Sequence, residues 1–145
     1  MKKGEEKLIK KMINTSFVYL ILALISGVFY REFTKFNDFT GQTTLSVVHT
    51  HLLVLGVFFF LILALFIKNS PNILENKKFD KFYIVYNISV ILFTVMLLVR
   101  GVVQVLGTSL STGLNASISG IAGVSHILLA ASLIYFFVIL KKEIK

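Results

Sequence analysis

Two of the three histidines stand near the beginning of a long apolar stretch, residues 44–68. His49 and His51 have only Thr50 between them. Titratable side chains inside a membrane span are costly, so they point to a functional site. Residues two apart on a helix project about 200° apart, so these imidazoles leave from nearly opposite faces and cannot easily hold one ion as i, i+4 pairs do. Each imidazole is therefore expected to meet a different neighbour.

The chain that carries these histidines has the composition of a membrane protein. It has 145 residues, of which 56% are hydrophobic, which is too apolar for an ordinary soluble domain. We predict an all-α integral membrane protein with one four-helix transmembrane domain, residues 1–145. A helix break is predicted around Pro71, and residues 107–119 have the composition of a loop. The predicted spans are residues 12–30, 44–68, 82–106 and 120–140.

The net charge of +8 comes from short basic clusters that flank the apolar runs, which is typical of membrane topology and not of nucleic-acid binding. The amino-terminal tail has five Lys or Arg residues, the middle loop with its edges four and the carboxyl-terminal tail three. The first loop has two and the third loop none. The positive-inside rule therefore places both termini in the cytoplasm, and we predict a multi-pass protein of a bacterial cytoplasmic membrane.

This topology collects the titratable groups at one depth. His49, His51 and His126 each lie roughly 8–11 Å below the outer end of their spans, and Arg100 lies about 9 Å below it. The sequence predicts that the inner half of the spans is almost wholly apolar. For His126 the alternative is a hydrogen bond to a carbonyl across a helix interface, and Arg100 can alternatively snorkel to the headgroups. Small residues on the faces of these histidines indicate either close helix packing or room for a flat macrocycle: Gly56, Ser119, Ala122, Gly123 and Ala130.

Neutral imidazole suits haem iron, copper or zinc. The chain has no cysteine, which excludes thiolate metal sites and covalent c-type haem. A small copper or zinc site usually needs several converging ligands, whereas haem needs one or two axial imidazoles, an apolar slot and a cation near its propionates. The histidine layer with Arg100 therefore favours non-covalent haem b, with copper second.

The run VVHTHLLVLGVFFFLILALF resembles the second helix of the catalytic subunit of nitric oxide reductases and other haem–copper oxidase relatives. In that family an inward-running helix carries, near its outer end, a histidine that ligates low-spin haem, and His49 occupies that position. The His-x-His spacing also resembles the family's tenth helix, whose two histidines serve two different haems. The resemblance implies that His49 and His51 are axial ligands of haem iron, while His126 is a ligand or a neighbour of one.

Two further resemblances accompany this one. Gly56 matches a His-x-His-x-x-x-x-Gly run found in related membrane proteins implicated in nitric oxide responses. As a whole, the chain resembles an uncharacterised family of small four-span bacterial membrane proteins. The histidines of the oxidase copper site and the family's tyrosine or glutamates have no match here, so no complete oxidase or reductase site is recognised.

The expected function is therefore haem binding for electron transfer, or for binding and sensing a diatomic gas such as O2 or NO. Two alternatives stay open: a copper or zinc transporter or sensor that uses the histidines, and an accessory subunit without a cofactor. The sequence does not give the redox potential, the spin state or a physiological reductant.

The opposed imidazoles also predict an assembly, because one four-helix bundle has no obvious use for both. In an oligomer, His49 of one chain can face His51 of the next. The oxidase subunit that the chain resembles arranges twelve helices as three arcs of four, which favours a cyclic homotrimer over a twofold dimer. The predicted partners are thus the lipid bilayer and further copies of the chain.

Overall fold

The structure, a computed structural model, describes residues 3–69 and 77–143, and within these ranges it contains helices and no strands. The helices are α1 (Lys3–Phe36), α2 (Leu45–Asn69), α3 (Lys77–Leu106) and α4 (Thr112–Glu143). Each is long and apolar enough to cross a membrane. This confirms the all-α, four-span prediction and a multi-pass membrane protein. The break predicted around Pro71 lies outside the described residues.

The fourth helix begins earlier than the sequence predicts. The loop prediction for residues 107–119 is wrong from Thr112 onward, since α4 starts there. The cause is a side-chain cap, because the backbone N–H of Leu114 donates to Ser111 Oγ at 3.3 Å and that of Asn115 donates to the Ser111 carbonyl at 3.0 Å. At the other connection, just before α2, the hydroxyl of Thr43 accepts from the N–H of Leu45 at 3.2 Å.

The helices pack in the order of the sequence. α1 lies along α2, α2 along α3 and α3 along α4, whereas α1 and α4 make no extensive backbone contact in the described ranges. We call the end that contains the chain termini the inner end, and the end with residues 37–44 and 107–111 the outer end. α1 and α4 are the two ends of this open row, although side chains of α1 and α3 also meet, and the outward faces of α1 and α4 are uncovered.

A cluster of aromatic rings holds α2, α3 and α4 together in the inner half of the molecule. Phe82 and Tyr86 of α3 are fully buried. Phe59 of α2 lies 4.4 Å from Tyr86 and 5.5 Å from Phe136 of α4, and Phe82 stacks on Phe136 at 4.7 Å (centroid distances). Aromatic pairs at such distances contribute beyond the area they bury. The cluster therefore fixes the three helices that carry His51, Phe93 and His126 farther out.

Candidate functional site

His51 and His126 both contact one aromatic ring, that of Phe93 on α3. The centroid of His51 is 5.1 Å from that of Phe93, and the centroid of His126 is 4.5 Å from it in an edge-on arrangement. The two imidazole centroids are therefore within about 10 Å of each other. Phe93 is buried, and its ring connects a histidine of α2 with one of α4.

Both of these imidazoles are oriented by their own helices. His51 Nδ1 lies 2.7 Å from the carbonyl oxygen of Val47, and His126 Nδ1 lies 2.8 Å from that of Ala122. A carbonyl oxygen only accepts, so in each hydrogen bond Nδ1 carries the proton. The Nε2 atom of the neutral ring then keeps its lone pair, which is the arrangement found in metal-ligating histidines.

His49 faces a different helix. A methyl group at Gly27 of α1 would lie 3.8 Å from both Cβ and Cγ of His49, so the imidazole stands opposite this glycine. Its Nδ1 atom is buried and has no hydrogen-bond partner. His49 and His51 thus contact different neighbouring helices, as their spacing requires, and His49 retains an unsatisfied polar atom that costs free energy unless something pairs with it.

Arg100 lies two helical turns outward from Phe93 on the same face of α3. Its Nη1 donates to Asn115 Oδ1 and its Nη2 to Ser119 Oγ, each at 2.6 Å. Both partners are neutral, and no carboxylate of the described residues lies within ion-pair distance of Arg100. Arg100 therefore joins α3 to α4 and keeps a positive charge without a counter-ion, about 10 Å beyond the ring between the two histidines.

The segment that follows His51, Leu52–Phe58, is a π-helix. Such segments are rare and frequently lie at functional sites. Hydroxyl groups of both neighbouring helices bind its carbonyls: Tyr86 donates to Leu55 O at 2.9 Å and Ser16 donates to Val57 O at 3.0 Å. These hydrogen bonds stabilise the irregular backbone next to the histidine pair, and no sequence signal identified it.

Of the two interpretations of the small residues, close packing holds at Gly56. A Cβ atom there would overlap the side chain of Tyr19, so α1 and α2 touch at this point. At Gly123, in contrast, a Cβ would meet nothing within 4 Å. His126 is exposed, although its ring contacts Phe93.

The inner half of the spans is not apolar, contrary to the sequence-based interpretation. Tyr19 donates to Asn87 Oδ1 at 2.9 Å, and the hydroxyls of Thr15 and Tyr83 lie 2.7 Å apart. These pairs form a polar column between α1 and α3. The sequence contains these residues as two i, i+4 pairs, Thr15 with Tyr19 and Tyr83 with Asn87. It does not show that the two pairs meet, because that depends on the contact between α1 and α3.

Sequence reasoning also missed two groups of the histidine layer: Phe93, which contacts two of the imidazoles, and Asn115, which binds Arg100. Neither has a distinctive spacing. Within the described residues, no three His, Cys, Asp or Glu side chains come together as a metal site.

The chain belongs to the family described as "Protein of unknown function (DUF2871)", whose model matches residues 9–143. The matched region contains all three histidines and Arg100. No curated protein and no solved structure matches the chain.

Proposed function

We propose that this protein binds haem b non-covalently in the histidine layer and serves in electron transfer, or in binding and sensing a diatomic gas. The observation that carries the proposal is the imidazole of His51, anchored through Nδ1, in one layer with His49, whose buried Nδ1 has no partner. Haem iron needs only one or two axial imidazoles in an apolar layer, which these two histidines can supply to different haems.

The donor set fits haem better than a bare metal ion. Copper or zinc sites usually take three or four protein ligands on converging faces, whereas iron in haem needs only axial imidazoles. The uncompensated guanidinium of Arg100 suits a propionate, and its distance of about two helical turns from the Phe93 level suits the edge of a macrocycle.

In this proposal His49 and His51 are the axial ligands, contributed by neighbouring copies. The Nδ1 of His49 is buried toward α1 without a partner, whereas His51 faces α3, so the two imidazoles do not share one site within the chain. The open row of helices is compatible with one arc of a cyclic homotrimer, in line with the resemblance to the oxidase subunit. His126 lies against the same ring as His51 and is the remaining imidazole able to act there.

The membrane is proposed to be a bacterial cytoplasmic membrane, with both termini in the cytoplasm, because the basic clusters lie at the inner end. The histidine layer would then lie in the outer leaflet.

Visible spectroscopy of the purified protein, oxidised and reduced, tests the function directly. A Soret band and reduced α and β bands that convert to the pyridine haemochrome of haem b are expected. Stoichiometric copper or zinc without these bands would support the metal transporter or sensor instead. Neither pigment nor metal would favour an accessory subunit, and either result would overturn the haem proposal.

A further inference from the structure

Three lysines of α1 converge on one concave surface at the inner end of the molecule. The concavity has a volume of about 400 Å³, and its lining residues all belong to α1: Lys7, Lys10, Lys11, Asn14, Thr15 and Val18. We call this surface the α1 lysine face. Its three ammonium groups belong to residues within about 6 Å of helix rise, which concentrates positive charge at one place.

The charges of the α1 lysine face are compensated only in part. Lys11 Nζ lies 4.0 Å from a carboxylate oxygen of Asp80 and 3.8 Å from the ring centroid of Tyr83, so α3 holds this ammonium group in place. Lys7 and Lys10 are exposed, and no carboxylate oxygen of the described residues lies within 4.0 Å of either ammonium group. Two cations without a counter-ion therefore stand beside one that is fixed.

A polar group next to these lysines also lacks a partner. Asn14 lies one turn outward from Lys10, and its side-chain amide makes no hydrogen bond to any of the described residues. The hydroxyl of Thr15, in contrast, donates to the Lys11 carbonyl at 2.9 Å. An amide donor beside two uncompensated ammonium groups suits a phosphate ester, because its anionic and ester oxygens accept hydrogen bonds from both kinds of donor.

Farther outward, the same face of α1 becomes apolar. Val18 forms the outer edge of the concavity, and Leu22 and Ile25 follow it at helical spacing; all three side chains are exposed. Between Asn14 and Ile25 the helix rises about 16 Å, which is close to half of the ~30 Å hydrocarbon thickness of a bilayer. The face therefore has the polarity of a phospholipid in one leaflet, with a charged end at the interface and an apolar strip of acyl-chain length.

We propose that the α1 lysine face binds an anionic phospholipid of the leaflet at the inner end. Lys7 and Lys10 pair with the phosphate, Asn14 donates to a phosphate or ester oxygen, and an acyl chain lies along Val18 and the apolar strip. Basic pockets on membrane helices at the cytoplasmic side bind anionic head groups in this way. A zwitterionic head group brings its own cation, which the free lysines repel, so the site selects lipids with a net negative charge.

Native mass spectrometry of the full chain in mild detergent tests this inference, and the binding requires no haem. The chain is titrated with phosphatidylglycerol and, separately, with phosphatidylcholine that carries the same acyl chains. We expect phosphatidylglycerol to bind roughly 5- to 30-fold more tightly, the value of one to two lysines at a membrane surface. The double variant Lys7→Gln, Lys10→Gln should lose this preference.

The double variant Lys141→Gln, Lys142→Gln is the matched control. It removes the same number of charges from the last turn of α4, at the same end of the molecule but at the opposite end of the row of helices. It should keep the preference for phosphatidylglycerol, as should Lys7→Arg, Lys10→Arg, which keeps both charges. The substituted lysines are exposed, so helix content by circular dichroism should be unchanged in all three variants.

Three results would overturn the proposal. The first is equal affinity of the unsubstituted chain for the two lipids, or an unchanged preference in Lys7→Gln, Lys10→Gln. The second is an equal loss of preference in the α4 control, which would assign the effect to the general charge of the inner end. The third is binding of glycerophosphoglycerol, the head group without acyl chains, as tightly as the lipid; the surface would then be a site for a soluble phosphate ester.

Discussion

At the scale of single residues, the environment of each histidine leads to a different expected role. His51 is oriented by Val47 and packs on Phe93, whereas His49 has a buried Nδ1 without a partner. We expect His49→Ala and His51→Ala each to lose most of the bound haem, because in the proposed site each removes an axial ligand. His126→Ala should retain haem with an affinity lowered by about 10-fold, as for a residue beside the ligands.

Haem content by pyridine haemochrome and the reduced spectrum measure these effects. The three single variants serve as controls for one another, because each removes one imidazole from the same layer. Wild-type haem content in the double variant His49→Ala, His51→Ala would disprove the ligand assignment.

Arg100 is expected to act through its charge. Its two neutral hydrogen bonds, to Asn115 and Ser119, leave the charge uncompensated, and a haem propionate would balance it. Arg100→Leu should therefore weaken haem retention without unfolding the protein, whereas Arg100→Lys should keep most of it. Haem retention against apomyoglobin as acceptor provides the measurement.

Asn115→Ala is the control for the structural part of this role, since it removes one of the two contacts with α4 and keeps the charge. If Asn115→Ala and Arg100→Leu reduce retention equally, Arg100 is a clamp between helices and not the partner of a propionate.

At the scale of helices, the contact of α1 with α2 depends on Gly56. A Cβ atom at this position would overlap the ring of Tyr19, which is buried and held through its hydroxyl by Asn87. Gly56→Ala should therefore lower the free energy of unfolding by about 1–3 kcal/mol, the usual cost of overpacking. Denaturation in detergent, followed by circular dichroism, measures it.

Gly113→Ala provides the comparison, because an added Cβ there meets nothing within 4 Å. Alanine favours a helix more than glycine does, so this variant should be as stable as the wild type or slightly more stable. Equal stability of the two alanine variants would show that the Tyr19 contact is unimportant.

The helices also show how much of the fold the sequence predicts. Apolar runs bounded by charge predicted four spans, because burial of a backbone in lipid demands long apolar helices. The start of α4 was missed because its first turns are rich in serine and glycine, and the cap on Ser111 and the hydrogen bonds to Arg100 are visible only in three dimensions. The π-helix and the polar column were missed for the same reason, since partners on other helices stabilise them.

At the scale of the whole molecule, orientation in the membrane is testable because the chain has no cysteine. Ser109 lies exposed in the connection at the outer end and Lys142 is exposed at the inner end. We expect a membrane-impermeant maleimide to label Ser109→Cys on intact cells, and Lys142→Cys only after permeabilisation, because the basic clusters should stay in the cytoplasm. The unsubstituted protein is the blank, and the reverse labelling pattern would contradict the predicted topology.

The exposure of α4 bears on assembly. Its buried residues form one narrow stripe: Ser125, Leu129, Ser132, Phe136 and Ile139. Apolar side chains outside this stripe can face lipid, but His126 is exposed as well, and an imidazole in hydrocarbon is costly. Gly123 beside it has room for a close neighbour. A second copy against this part of the molecule would remove that cost.

The last prediction is therefore a closed ring of three chains. His49 lies toward α1 and His51 toward α3, and in the proposed ring a heterologous contact repeated by a threefold rotation would give each imidazole a different neighbour. A twofold dimer would bring identical surfaces together and would pair like histidines. Native mass spectrometry in mild detergent should show three chains with up to three haems, and His49→Ala should lose haem from all three sites while its trimer persists. A monomer that carries haem would refute the ring, because no neighbour would then be needed to complete the site.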